Sequence, residues 1–126
     1  MYNKKPVIDI LTYHQDLQIL CEKINAKDFD CIIALKRSGW IVGAFLSNQK
    51  TIPVFTVSEI KSIPPNFQRF LIVDDKVCTG KSLNRVVNKL PDDSYIKTAA
   101  MYVESDKFPD IWVSHVKCIH GMWYER

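Results

Sequence analysis

The apolar runs Cys31-Ile-Ile-Ala-Leu35, Phe70-Leu-Ile-Val73 and 96–103 are continuous rather than alternating. A strand with one wet face carries a polar side chain at every second position, so continuous runs of this length read as strands covered on both faces of a parallel sheet. Ile52-Pro-Val-Phe-Thr-Val57 adds another such run, and 111–119 reads as a last strand. Helical patterns fall between them. Residues 14–26 place Leu17, Leu20, Cys21 and Ile24 on one stripe, and 81–90 does the same with Leu83, Val86, Val87 and Leu90 before Pro91 stops it. Residues 40–46 read as a buried helix entered through the polar turn Lys36-Arg37-Ser38-Gly39. The expected fold class is α/β, an open, mainly parallel, twisted sheet flanked by helices. Its ligands belong beyond the carboxyl ends of the strands.

A length of 126 residues fits one domain, 1–126, with a single core. With 47% hydrophobic and 25% charged residues, 4 Gly and 6 Pro, the chain is neither disordered nor fibrous. A net charge of +3 does not argue for a nucleic-acid partner and is compatible with an anionic small molecule. No apolar run approaches the roughly 20 residues that span a bilayer, so no membrane partner is expected and the reading is cytoplasmic. The four cysteines, Cys21, Cys31, Cys78 and Cys118, form no CxxC pair, and two of them sit inside apolar runs. Free thiols in a reducing compartment are the expectation. His115, Cys118 and His120 do not make a zinc set, because strand alternation puts 115 on one face and the other two on the opposite one.

Chemistry concentrates in Leu71-Ile-Val-Asp-Asp-Lys-Val-Cys-Thr-Gly-Lys-Ser-Leu83. Two adjacent carboxylates at a strand's end repel each other unless a cation or sugar hydroxyls use them. Directly after them, residues 77–82 supply backbone N–H groups and two hydroxyls at a helix start, where a phosphate is favoured, and Gly80 lets the main chain come close. Diol and Mg²⁺ recognition beside monophosphate recognition is the polarity of a ribose 5-phosphate. Gly80-Lys81-Ser82 also matches the end of a Walker A loop, but Asp75 stands where that loop wants glycine. The acidic strand end is also similar to that of a phosphoacceptor receiver domain, where it opens the chain rather than lying centrally. A strand, turn and helix whose acids merely cap the helix is the remaining structural alternative.

The run VDDKVCTGKSL resembles the signature by which type I phosphoribosyltransferases bind 5-phosphoribosyl 1-pyrophosphate (PRPP). The resemblance extends from the helix at 14–26 through Ile-Ala-Leu-Lys-Arg-Ser-Gly-Trp40 to the tail His-Gly-Met-Trp-Tyr-Glu-Arg126, and is nearest the small bacterial xanthine–guanine branch. It implies that fold with a minimal hood. It implies transfer of the 5-phosphoribosyl group from Mg²⁺-bound PRPP to a nitrogen of a nucleobase-like acceptor, a purine first, with release of pyrophosphate. Asp74 and Asp75 then hold the ribose hydroxyls and Mg²⁺. Lys76 and Val77 lead into the loop Cys78, Thr79, Gly80, Lys81 and Ser82 that cups the 5-phosphate. Lys36, Arg37, Ser38 and Gly39 match the pyrophosphate loop, whose backbone is strained in such enzymes. With Asp74 and Asp75, Arg37 is the expected catalytic group. Ser58 to Arg69 matches a mobile lid, short here and stiffened by Pro64 and Pro65, with Lys61 and Arg69 as cations for pyrophosphate. A homodimer is the family's common state.

Two positions depart from the pattern. Cys78 replaces the aspartate that usually precedes Thr-Gly in 6-oxopurine enzymes, and a small buried thiol is the plain reading of it. Glu104 replaces the lysine that reads the exocyclic oxygen of the base, an acceptor in place of a donor. Phe108-Pro-Asp-Ile-Trp112 resembles the segment that stacks on the base, which makes Glu104, Ile111 and Trp112 the expected base-binding residues. Trp40, Trp123 and Tyr124 read as packing or a subunit contact. These departures keep open a second reading, a non-catalytic module on the same fold that senses PRPP or a nucleotide.

Overall fold

The computed structural model describes residues 9–104, 109–119 and 122–124, the side chains of Lys36 and of Lys117 onward excepted. Helix α1 (Ile10–Glu22) begins where the Asp9 carboxylate accepts from the Thr12 N–H at 2.8 Å. Strand β1 (Cys31–Ala34) follows, then α2 (Lys36–Lys50), β2 (Val54–Thr56), β3 (Arg69–Val77), α3 (Lys81–Val87), β4 (Tyr95–Val103) and β5 (Ile111–His115). The five strands form one parallel sheet in the order β2-β1-β3-β4-β5. A separate antiparallel ribbon pairs β6 (Lys117–Ile119) with β7 (Met122–Tyr124). No helix of the described residues is long and apolar enough to cross a membrane.

The continuous apolar runs are explained by two cores, one on each face of the sheet. Ile32, Ala34, Leu71, Val73, Ala99 and Met101 pack with Leu17 and Leu20 of α1 and Val42 and Leu46 of α2. The alternate positions Cys31, Ile33, Phe70, Ile72 and Ala100 pack on the other face with Leu83 and Val86 of α3 and with Leu90. Each fully buried aliphatic side chain contributes about 1.5–3 kcal/mol relative to leaving it in water.

Several expected boundaries move. Lys36 to Gly39 are not a separate turn but the first turn of α2, which Leu35 precedes in extended conformation. The two acids lie inside β3 rather than past its end, because pairing with β4 continues through Val77. The expected last strand divides after His115: 111–115 extends the sheet, whereas 117–119 pairs with β7. The lid segment begins as a 3-10 helix, Val57–Ser62, and Ile60, Ile63 and Phe67 pack onto the second core.

Candidate active site

Parallel pairing brings the carboxyl ends of the strands to one edge of the sheet, and at that edge lies a cavity of about 1000 Å³. It is lined by Arg37, Ser38 and Trp40 from the start of α2, by Thr56 at the end of β2, and by the unbroken segment from Asp74 to Leu83. Two segments more than thirty residues apart in the chain thus face one space, at the upper end of the volume range of small-molecule sites.

Asp74, Asp75 and Lys76 are half-buried at the end of β3. The Asp74 Oδ1 accepts from the Asp75 N–H at 2.7 Å. The same oxygen stands 3.3 Å from where a Cβ on Gly39 would lie, and the Val73 carbonyl oxygen is 3.2 Å from that point. Glycine at 39 therefore lets the start of α2 settle against the acidic strand. Asp75 turns toward α1, where the Tyr13 hydroxyl donates to its Oδ1 at 2.8 Å. Burial holds the Asp75 carboxyl above its ordinary value, opposed by the Tyr13 hydrogen bond and the Lys76 charge.

Past Val77 the chain turns out to solvent. Cys78 and Thr79 are exposed, and Gly80 at φ 82°, ψ 2° turns the chain into α3. The Lys81 N–H points at the Thr79 hydroxyl oxygen at 3.4 Å. Cys78 corrects two expectations, being neither buried nor a free thiol: it is disulfide-bonded. No CxxC-type spacing announces such a bond, because it depends on how the chain folds rather than on neighbours in sequence. Cys21 and Cys31 are free, as expected, and burial followed by the nearby Asp30 charge pushes the Cys31 thiol up to about 12.

The expected acceptor-binding residues do not share the cavity lining. Ile111 packs against the first core and Trp112 against the second. The Trp112 ring stands edge-on to His115 with centroids 4.4 Å apart, and its carbonyl accepts from the Lys23 ammonium at 2.7 Å. Glu104 is at the correct edge, directly past β4, with its N–H donating to the Val77 carbonyl at 3.1 Å. Arg69 is a correction. It opens β3, five residues and roughly 16 Å of strand before Asp74. There it pairs with Asp30 at 3.0 Å and donates to the Lys27 carbonyl. Lys61 is exposed and outside the lining. Residues 36–39 carry no positive φ; among the described non-glycine residues Thr51 has one.

Three residues at or beside the site were not anticipated there. Trp40, read as packing, lines the cavity and is 40% exposed. Thr56 is discoverable from register, since β2 pairs it with Ala34 at the sheet edge. Tyr13 is one turn before Leu17 on the α1 stripe, which marks it as facing the core but does not announce its contact with Asp75.

An all-parallel sheet with an acidic strand end, a glycine-turned loop and a facing helix start is the architecture of the type I phosphoribosyltransferase fold. Comparison with known proteins bears this out. A xanthine-guanine phosphoribosyltransferase of Chromohalobacter salexigens is 27% identical over an alignment covering 69% of this chain and 62% of that protein, so the chain spans less than two thirds of that relative. The Helicobacter pylori xanthine-guanine-hypoxanthine phosphoribosyltransferase superposes with a TM-score of 0.74 at 20% identity, covering 86% of this chain and 85% of that one. A purine phosphoribosyltransferase from Pyrococcus horikoshii superposes with a TM-score of 0.70 at 22% identity, covering 93% and 87%. No family model matches the sequence. The chain has the type I phosphoribosyltransferase fold, and it resembles the xanthine–guanine enzymes of that family in sequence as well.

Proposed function

We propose that this protein transfers the 5-phosphoribosyl group of PRPP to a ring nitrogen of a nucleobase-like acceptor, a purine first, with release of pyrophosphate. The observation that carries the reading is the meeting of Arg37, Ser38 and Trp40 with residues 74–83 around one cavity. The phosphoribosyltransferases among its relatives support it.

In this reading Asp74 and Asp75 hold the ribose hydroxyls, and the exposed loop from Cys78 to Ser82 holds the 5-phosphate. Arg37, Ser38 and the N–H groups of the first turn of α2, which have no partner within the helix, receive the diphosphate. The bond from the ribose C1 to the diphosphate oxygen breaks, and a bond from C1 to the acceptor nitrogen forms. The electron pair of the broken bond leaves with pyrophosphate, and the nitrogen's proton passes to solvent. The protein's task is to hold both partners in line and to stabilise charge on the leaving oxygens. Two carboxylates bordering one cavity are the oxygen donors that a hard cation takes, so Asp74 and Asp75 fit Mg²⁺. When bound, the ion neutralises the departing diphosphate. Glu104, an acceptor at the sheet edge, favours a base edge that carries an N–H. A cytoplasmic homodimer is the accompanying expectation.

Pyrophosphate release from PRPP and Mg²⁺, measured against purine, pyrimidine and pyridine bases, tests the reading. Turnover should require one class of base and disappear in Asp75→Asn while the variant stays folded. Unchanged turnover in Asp75→Asn would remove the assignment. PRPP binding without turnover for any base would favour the sensing module.

A further inference from the structure

The cavity wall does not explain why the Asp75 carboxylate is held as it is; helix α1 does. Tyr13 and Asp16, three residues apart on one face of α1, both reach the sheet. The Tyr13 hydroxyl donates to Asp75 Oδ1 at 2.8 Å, and Asp16 Oδ2 accepts from the Tyr102 hydroxyl at 2.7 Å. The two tyrosine rings lie against each other with centroids 6.3 Å apart at 54°. Tyr102 is 2% exposed and sits within β4, so the second hydrogen bond joins α1 to the interior of the sheet. The first joins it to Asp75, a residue of the cavity lining.

These two bonds divide the work. The bond from Tyr102 to Asp16 involves no residue of the cavity lining and anchors the helix. The bond from Tyr13 occupies one oxygen of Asp75 and fixes the carboxylate's rotation, so that its remaining acceptor capacity is presented in one direction. A carboxylate free to rotate would have to be ordered when a ligand arrives, and that ordering weakens binding. We infer that Tyr13 is a positioning residue for PRPP: from helix α1, outside the cavity lining, it holds Asp75 in the orientation that receives the ribose and its cation. The inference rests on the proposed function and assigns a role to a residue outside the signature segment.

The test compares two variants that each remove one hydroxyl, Tyr13→Phe and Tyr102→Phe. PRPP binding is read by calorimetry in the presence of MgCl₂, alongside KM, kcat and the melting temperature. Tyr13→Phe should bind PRPP about tenfold more weakly, with the loss in KM rather than kcat and a melting temperature close to that of the parent. Tyr102→Phe should lower the melting temperature and leave PRPP affinity within about twofold. Parental affinity in Tyr13→Phe would overturn the role by making the hydroxyl dispensable, and equal affinity losses in both variants, or a Tyr13→Phe chain that does not fold, would overturn it by making the hydroxyl structural. A parent protein that binds no PRPP would overturn the functional reading itself, and this role with it.

Discussion

Gly80 is the residue at which local geometry and the proposed chemistry coincide. Its φ of 82° lies in the left-handed region, where a Cβ crowds the following carbonyl, and the turn it makes carries the chain from the exposed loop into α3. Gly80→Ala should therefore lower stability by about 1 kcal/mol, read as a shift of the urea midpoint at unchanged slope. It should weaken PRPP binding more than that loss alone predicts, because the loop's amides move together. A variant with full PRPP affinity would mean that the loop tolerates another turn. At this scale the sequence was informative where the candidate site is marked by residue type: adjacent acids, Thr-Gly and Ser82 all announce themselves. It was silent where the site is built by a partner in space. Nothing in the spacing of Tyr13 and Asp75, 62 positions apart, signals their contact. Nothing around Cys78 signals its disulfide.

The elements were legible in proportion to their burial. Strands covered on both faces cannot carry alternating polar residues, so β1, β3 and β4 were plain in the sequence. Helix α1 starts four residues earlier than its stripe suggests, because Ile10 and Leu11 are 89% and 67% exposed and Asp9 rather than an apolar contact sets the start. The expected strand over 111–119 divides in two because its apolar character continues past Val116 while its pairing with β4 does not. The seating of α2 on the sheet depends on tight packing at its middle that no periodicity shows. A Cβ added at Gly43 would fall 2.7 Å from the Ala34 Cβ and 3.3 Å from a Val54 methyl, so the helix lies on β1 and β2 with no space for a methyl group. Gly43→Ala gains helix propensity but must push α2 off the sheet, and overpacking of this kind costs about 1–3 kcal/mol. The expected result is a net loss in the unfolding midpoint. An unchanged or raised midpoint would show that α2 can shift freely.

Across the whole molecule the two edges of the sheet do different work. The carboxyl edge carries half-buried acids, a glycine-turned loop and a cavity. The amino edge is closed by contacts away from the cavity lining: Asp30 accepts from the Gln68 and Arg69 N–H groups at 2.8 and 3.0 Å and pairs with the Arg69 guanidinium. The Arg69 guanidinium beside Asp30, together with these amides, holds the Asp30 carboxyl below its ordinary value. A carboxyl lowered on folding adds stability that is fully present above its unfolded value of roughly 4 and is lost as pH falls through the lower folded value. Asp30→Asn should thus be less stable than the parent at pH 7, and the gap should close as the acid limb is descended. Because the Arg69 side chain is 47% exposed, the ion pair itself contributes no more than about 1 kcal/mol and is weakened by salt. The same variant should retain parental KM and kcat at neutral pH, since Asp30 lies at the end of the sheet opposite the cavity. Urea unfolding from pH 7 to pH 3, paired with the pyrophosphate assay, reads both halves of the expectation. A gap independent of pH would show that Asp30 acts through packing rather than charge, and a loss of turnover would show that the two edges are coupled.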